Sequence, residues 1–191
     1  HERIKEKPME NQEKKPLPAA RGVEAAHILF TLNTGTEDIL RMAQRSGLPE
    51  IFWGGPLAPA LCGEWRAFVH AAVTAGLMQH APNSVLTAYL RDTGFLLEQA
   101  EGHDDAVPHT TRVEEFVDGP FSAYMELLAQ ERQKECPLLF FRRLGISGEG
   151  EASHLMDGDA LARAQGRIAA VMAMLISAIQ DKLDAYDIAA D

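Results

Sequence analysis

Cysteine is scarce: Cys62 and Cys136 are the only two in 191 residues, and each sits in an apolar setting. That argues against a disulfide framework or a zinc knuckle and points to a reducing compartment. No apolar run approaches the roughly 18 to 20 residues that span a bilayer, and the N-terminus lacks an apolar signal core, so the chain is expected to be soluble and cytoplasmic. Basic charge is in short supply as well, with 18 Lys and Arg against 28 Asp and Glu for a net charge of −10. Residues 1–18 hold five of the basic and four of the acidic side chains, leaving 13 against 24, or −11, for the remainder. Such a body repels phosphate backbones and anionic lipid, so neither nucleic acid nor membrane insertion is favoured. No internal repeat is apparent and no strand partners can be paired, so a sheet is not expected.

What the sequence does have is helical periodicity around one core. With 46% hydrophobic residues the chain can bury a single sizeable core. Residues 1–18 alternate in charge, carry three prolines and show no hydrophobic period, so they read as a disordered tail. A leading His1 suggests vector-derived residues ahead of Met9. Residues 19–191 read as one all-α domain of about seven helices.

The strongest signal is the last helix, Asp157 to Tyr186. Leu161, Ala164, Ile168, Val171, Met172, Leu175, Ile179 and Leu183 recur at helical spacing, and Asp157 or Asp159 can cap the start. Ile168 to Ile176 contains no polar residue, and Gly166, Ala170, Ala173 and Ser177 form a small-residue stripe. The helix is therefore expected to be buried all round, as a central post or as half of a homodimer seam.

Further upstream, VEAAHILFTL reads as a first helix, ended by Asn33-Thr34-Gly35. Thr36 is expected to cap a second, closed by Gly47 and Pro49. Residues 50–60, EIFWGGPLAPA, are apolar but rich in Gly and Pro, and read as an irregular aromatic loop. A helix from about Leu61 to His80 follows. Asn83 or Ser84 can cap the next one, weakened at Gly94. Another starts near Arg112 and breaks at Gly119-Pro120. Pro137 ends it, and LLFFRRLGI reads as a short helix.

Several constellations carry possible chemistry. Glu24-x-x-His27 and Glu151-x-x-His154 have the spacing that sets a carboxylate and an imidazole on one helical face in di-iron bundles. His103-Asp104, with His70 and Asp157, is similar to the metal set of HD phosphohydrolases. Against both stands the absence of a common helical face, so no metal or cofactor is expected, and a metal-dependent helical enzyme is the second alternative. Thr36 to Trp53 resembles a helix-turn-helix, with Ala43, Gly47 and Trp53 at the required spacing, which makes a TetR-like regulator the first alternative.

IFWGGPLAP, then a helix, then HAPNSV opening another, then EEFVDGPFSAYMELLAQERQKECPLLFFRRLG is similar in order and spacing to the TorD/DmsD family of redox-enzyme maturation chaperones. The resemblance covers roughly residues 50–145. Pro82 matches the family's hinge, while Asn83-Ser84-Val85 stand where acidic residues and a histidine are expected. The resemblance implies an all-helical chaperone without catalytic residues or cofactors. Its client would be a redox-enzyme precursor, bound as the signal peptide or apoprotein of a molybdoenzyme. The peptide-binding surface expected from the aromatic loop and the hinge comprises Phe52, Trp53, Gly55, Pro56, His80, Pro82 and Asn83.

Overall fold

A computed structural model describes residues 15–102, 108–184 and 186–188; the tail expected for residues 1–14 and the His103-Asp104 pair lie outside them. The body is all-α. Seven expected helices are present, two of them broken, with an extra turn in the aromatic loop: α1 (Ala19–Asn33), α2 (Thr36–Arg45), α3 (Glu50–Trp53), α4 (Ala58–His80), α5 (Asn83–Arg91), α6 (Thr93–Glu101), α7 (His109–Phe116), α8 (Ser122–Ala129), α9 (Cys136–Arg143) and α10 (Gly158–Leu183). Between α7 and α8 the chain makes a π-type turn, Val117–Phe121, in which Gly119 leaves helical geometry ahead of Pro120. At the extremities, β1 (Lys15–Leu17) pairs in parallel with β2 (Tyr186–Ile188), so the last part of the expected tail is joined to the body.

The central post is α4, not α10. From Leu61 to Leu77 only Gly63 and Glu64 escape full burial, and α4 packs against α1, α2, α3, α5, α8, α9 and α10. Its sequence allows this because Ala67, Ala71, Ala72 and Ala75 keep one side of the cylinder thin, while large side chains such as Trp65, Val69 and Val73 fill the space on the other. At Gly76 α10 comes close: a Cβ there would lie 3.0 Å from Ile179 Cβ and Cγ1.

Helix α10 buries one stripe, Ala164, Ile168, Met172, Leu175, Ile179 and Leu183, while Ala169, Ala170, Ala173 and Met174 face outward. The stretch from Ile168 to Ile176, free of polar residues, predicts burial all round, but its alanines are indifferent enough to solvent that they do not decide a helix face. By length and composition α10 is the one helix among the described residues apolar enough to cross a membrane. Asp157 caps it, accepting from Ala160 N–H at 2.7 Å.

Other expected caps differ. Thr36 is the first residue of α2 rather than its cap, and its hydroxyl accepts from Arg66 Nη2 at 3.1 Å. Pro82, not Asn83 or Ser84, precedes α5 without any side-chain cap. Pro137 lies in the first turn of α9, where its missing N–H costs nothing.

Two buried polar groups tie the helices together. Among the described residues Arg66 has no carboxylate partner; its guanidinium donates to Thr34 O at 3.3 Å, to Ala100 O at 3.1 Å and to the Thr36 hydroxyl. Thr34 and Ala100 lie at the C-terminal ends of α1 and α6, whose partial negative charge stands in for a counter-ion. His70 Nε2 lies 2.9 Å from Thr93 Oγ1, and its Nδ1 lies 2.8 Å from Tyr89 Oη. Thr93 spends its proton on Leu90 O at 2.6 Å, so Nε2 carries the imidazole proton and the Tyr89 hydroxyl donates to Nδ1.

Candidate peptide-binding surface

The residues expected to form one binding surface occupy the two ends of α4. Phe52 is a core residue, 1% exposed. Trp53 is half-buried and donates its indole N–H to Leu48 O at 2.8 Å. Gly55 is pressed against α3, since a Cβ there would lie 2.8 Å from Ile51 Cα. Only Pro56 of this group is exposed. The aromatic loop is thus a packed turn whose aromatic rings are committed inward, because α3 gives Phe52 a buried face that sequence alone left open.

At the other end, His80 Nδ1 lies 3.4 Å from Asp184 Oδ1, which latches α4 to the end of α10. Pro82 is half-buried and Asn83 exposed. With 23 residues in α4, the two groups are about 34 Å apart along its axis. They do not converge.

Among the described residues an open concavity lies beside the hinge end instead. A recess of about 610 Å³ is lined by Ala75, Met78 and Gln79 of α4, Leu128 of α8, and residues 131–135. Its floor is apolar, with Met78 45% exposed, and its rim is charged. A second recess of about 300 Å³ continues it over Leu127, Leu138 and Leu139 to Arg142. Arg132 and Glu135 line both; Arg132 Nη2 donates to Glu135 Oε1 at 2.7 Å, and the pair forms the partition. Glu131 adopts φ +57°, a left-handed conformation uncommon for a side chain of its kind, and so turns the chain from α8 into the rim. Gln79 Nε2 donates to Gln133 Oε1 at 2.7 Å across it.

Sequence reading missed this groove. Its signals are faint: a methionine at the outer edge of an otherwise buried helix, and the run Glu131-Arg-Gln-Lys-Glu135 directly after the apolar stripe of α8.

Behind the second recess Glu64 joins three helices. Its Oε2 accepts from Tyr124 Oη at 3.0 Å and its Oε1 from Arg143 Nε at 2.7 Å. Burial, then the neighbouring Glu64 carboxylate, raises the Tyr124 hydroxyl well above its ordinary range, so it remains a donor.

The metal-ligand candidates are dispersed. His70 is 1% exposed with both nitrogens engaged, and burial lowers its pKa to about 3. His27 Nε2 lies 3.2 Å from Asp92 Oδ2, whereas Glu24 pairs with Arg21 at 2.8 Å. Asp157 caps α10, and Glu151 and His154 are exposed in the loop before it. Among the described residues no group of three or more His, Cys, Asp or Glu is placed to hold a metal.

The helix-turn-helix spacing places Ala43 in the core and Gly47 at φ +78°. Its second helix is α3, only four residues long, because Gly54-Gly55-Pro56 stops it. Compared with models of known protein families, with curated proteins and with solved structures, the chain finds no match in any of the three.

Proposed function

We propose that this protein is a cytoplasmic chaperone of the TorD/DmsD type, which binds an extended segment of a redox-enzyme precursor, its signal peptide or apoprotein, in the groove beside the hinge end of α4. The observation that carries the reading is the pair of adjoining recesses, about 610 and 300 Å³, with leucine and methionine on the floor and mixed charge on the rim. An apolar floor takes alternate side chains of an extended peptide, and a charged rim sets its register. The net charge of −10 attracts a basic segment from a distance. The order and spacing of residues 50–145 supply the likeness to the chaperone family.

The test is fluorescence anisotropy with a labelled twin-arginine signal peptide. Wild type is expected to bind it, more weakly at raised salt. Met78→Glu places a charge on the apolar floor at an exposed position and is expected to weaken binding by about tenfold or more, equivalent to about 1.4 kcal/mol, with an unchanged circular dichroism spectrum. Absence of binding to wild type, or equal binding to Met78→Glu, overturns the reading.

A further inference from the structure

The outward face of α10 carries a second surface, and its sequence is self-complementary. Arg163, Arg167, Ala170, Met174, Ser177 and Asp181 follow at steps of four, three, four, three and four residues, and all six are exposed. That alternation lays a continuous row along a helix at the spacing with which one helix packs on another. Met174 is 56% exposed in the middle of it, and a Cβ on neighbouring Gly166 would meet nothing within 4 Å. Arg167 is held by the carbonyl of Arg45.

The row is centred between Ala170 and Met174. Turned end over end about that point, it sets Arg163 opposite Asp181 of the partner subunit, and Ala170 opposite Met174 of the partner subunit. Each pairing then occurs twice: small against large at the centre, and opposite charges at the ends, about 27 Å apart along the helix. Parallel alignment would set Arg163, Arg167 and Asp181 each against its own copy. We propose that α10 forms the two-fold seam of an antiparallel homodimer, with Ala170 and Met174 at its centre and Arg163–Asp181 ion pairs closing its ends.

A second copy of this chain fits the face better than lipid does. Alanine, glycine and serine bury little against acyl chains but let a helix backbone come close, and the row's opposite-charge ends, Arg163 and Asp181, find their complement in a second copy. The seam does not depend on the peptide-binding reading, because the groove is built from α4, α8, the 3₁₀ turn Gln133–Glu135 and α9, without a residue of α10.

Sedimentation equilibrium of the full chain over a micromolar range tests it. Wild type is expected to show a monomer–dimer equilibrium, and Ala170→Glu or Met174→Glu to raise the dissociation constant by about tenfold or more with unchanged circular dichroism. Arg163→Glu and Asp181→Arg are each expected to weaken the dimer, and the two combined to restore it, which only antiparallel pairing explains. The proposal is overturned by a wild type that stays monomeric, by glutamate variants that associate as tightly as wild type, or by a double variant no better than the singles. Wild type that pellets with anionic vesicles instead of self-associating overturns it too.

Discussion

Inside the core, His70 exists only as the neutral Nε2–H tautomer, because Thr93 has no proton to give it and Phe116 and Phe121 stack on its ring at 5.7 and 4.5 Å. In the unfolded chain the same imidazole titrates near 6.5, whereas burial in the folded state lowers it to about 3. Between those values the unfolded state binds the extra proton, so stability falls as pH falls through that window, by up to about 1.4 kcal/mol per pH unit. Urea unfolding between pH 7 and pH 5 should show the decline, and His70→Gln, which keeps a donor and an acceptor, should show a shallower one. Equal slopes would mean that other groups carry the acid sensitivity. Cys62 and Cys136 are 5% and 0% exposed, and burial raises both thiols, Cys136 to about 11. Alkylation by iodoacetamide is expected to be slow in the folded protein and fast in denaturant; rapid labelling of the native state would contradict this packing.

Among the helices, α4 offers a paired comparison on one element. Gly76→Ala should gain helix propensity, yet the new methyl meets the β-branched Ile179 at 3.0 Å, and the expected outcome is a loss of about 1 to 3 kcal/mol. Gly63, in the same helix, has nothing within 4 Å of its Cβ position. There alanine should stabilise by about 0.5 to 1 kcal/mol. Thermal denaturation of the two variants checks both signs, and a stable Gly76→Ala would mean that α10 can move away from α4. On α10, Ala173 is exposed, so Ala173→Leu should change stability by less than about 0.5 kcal/mol. Sequence reading, which took the helix as fully buried, implied a cost there.

At the scale of the whole molecule, Arg66 joins α1, α2, α4 and α6 through three acceptors. Arg66→Leu leaves two helix-end carbonyls and a hydroxyl without their donor. It should cost about 2 to 4 kcal/mol, read as a lower urea midpoint. Because α4 runs through a buried cluster that connects the helices among the described residues, unfolding followed by tryptophan fluorescence and by far-ultraviolet circular dichroism should coincide. Trp53 and Trp65 report from one end of α4 and circular dichroism from the whole, so separated transitions would reveal a second folding unit.

The sequence by itself determined the helical class, most element boundaries and the break at Gly119-Pro120, because periodicity and the backbone limits of glycine and proline are local properties. It also narrowed the cap of α10 to Asp157 or Asp159 and gave the inward stripe of that helix, where large apolar residues are spaced for one face. Tertiary structure alone decided which helix is central. Alanine-rich α4 and alanine-rich α10 look alike in sequence, and only packing surrounds the first while leaving half of the second open. It likewise put Phe52 in the core and packed Trp53 half-buried against it, since a side chain's availability depends on what covers it. The groove at Met78, Leu128 and Glu131 is assembled from segments about 50 residues apart, and no local pattern records the space between them.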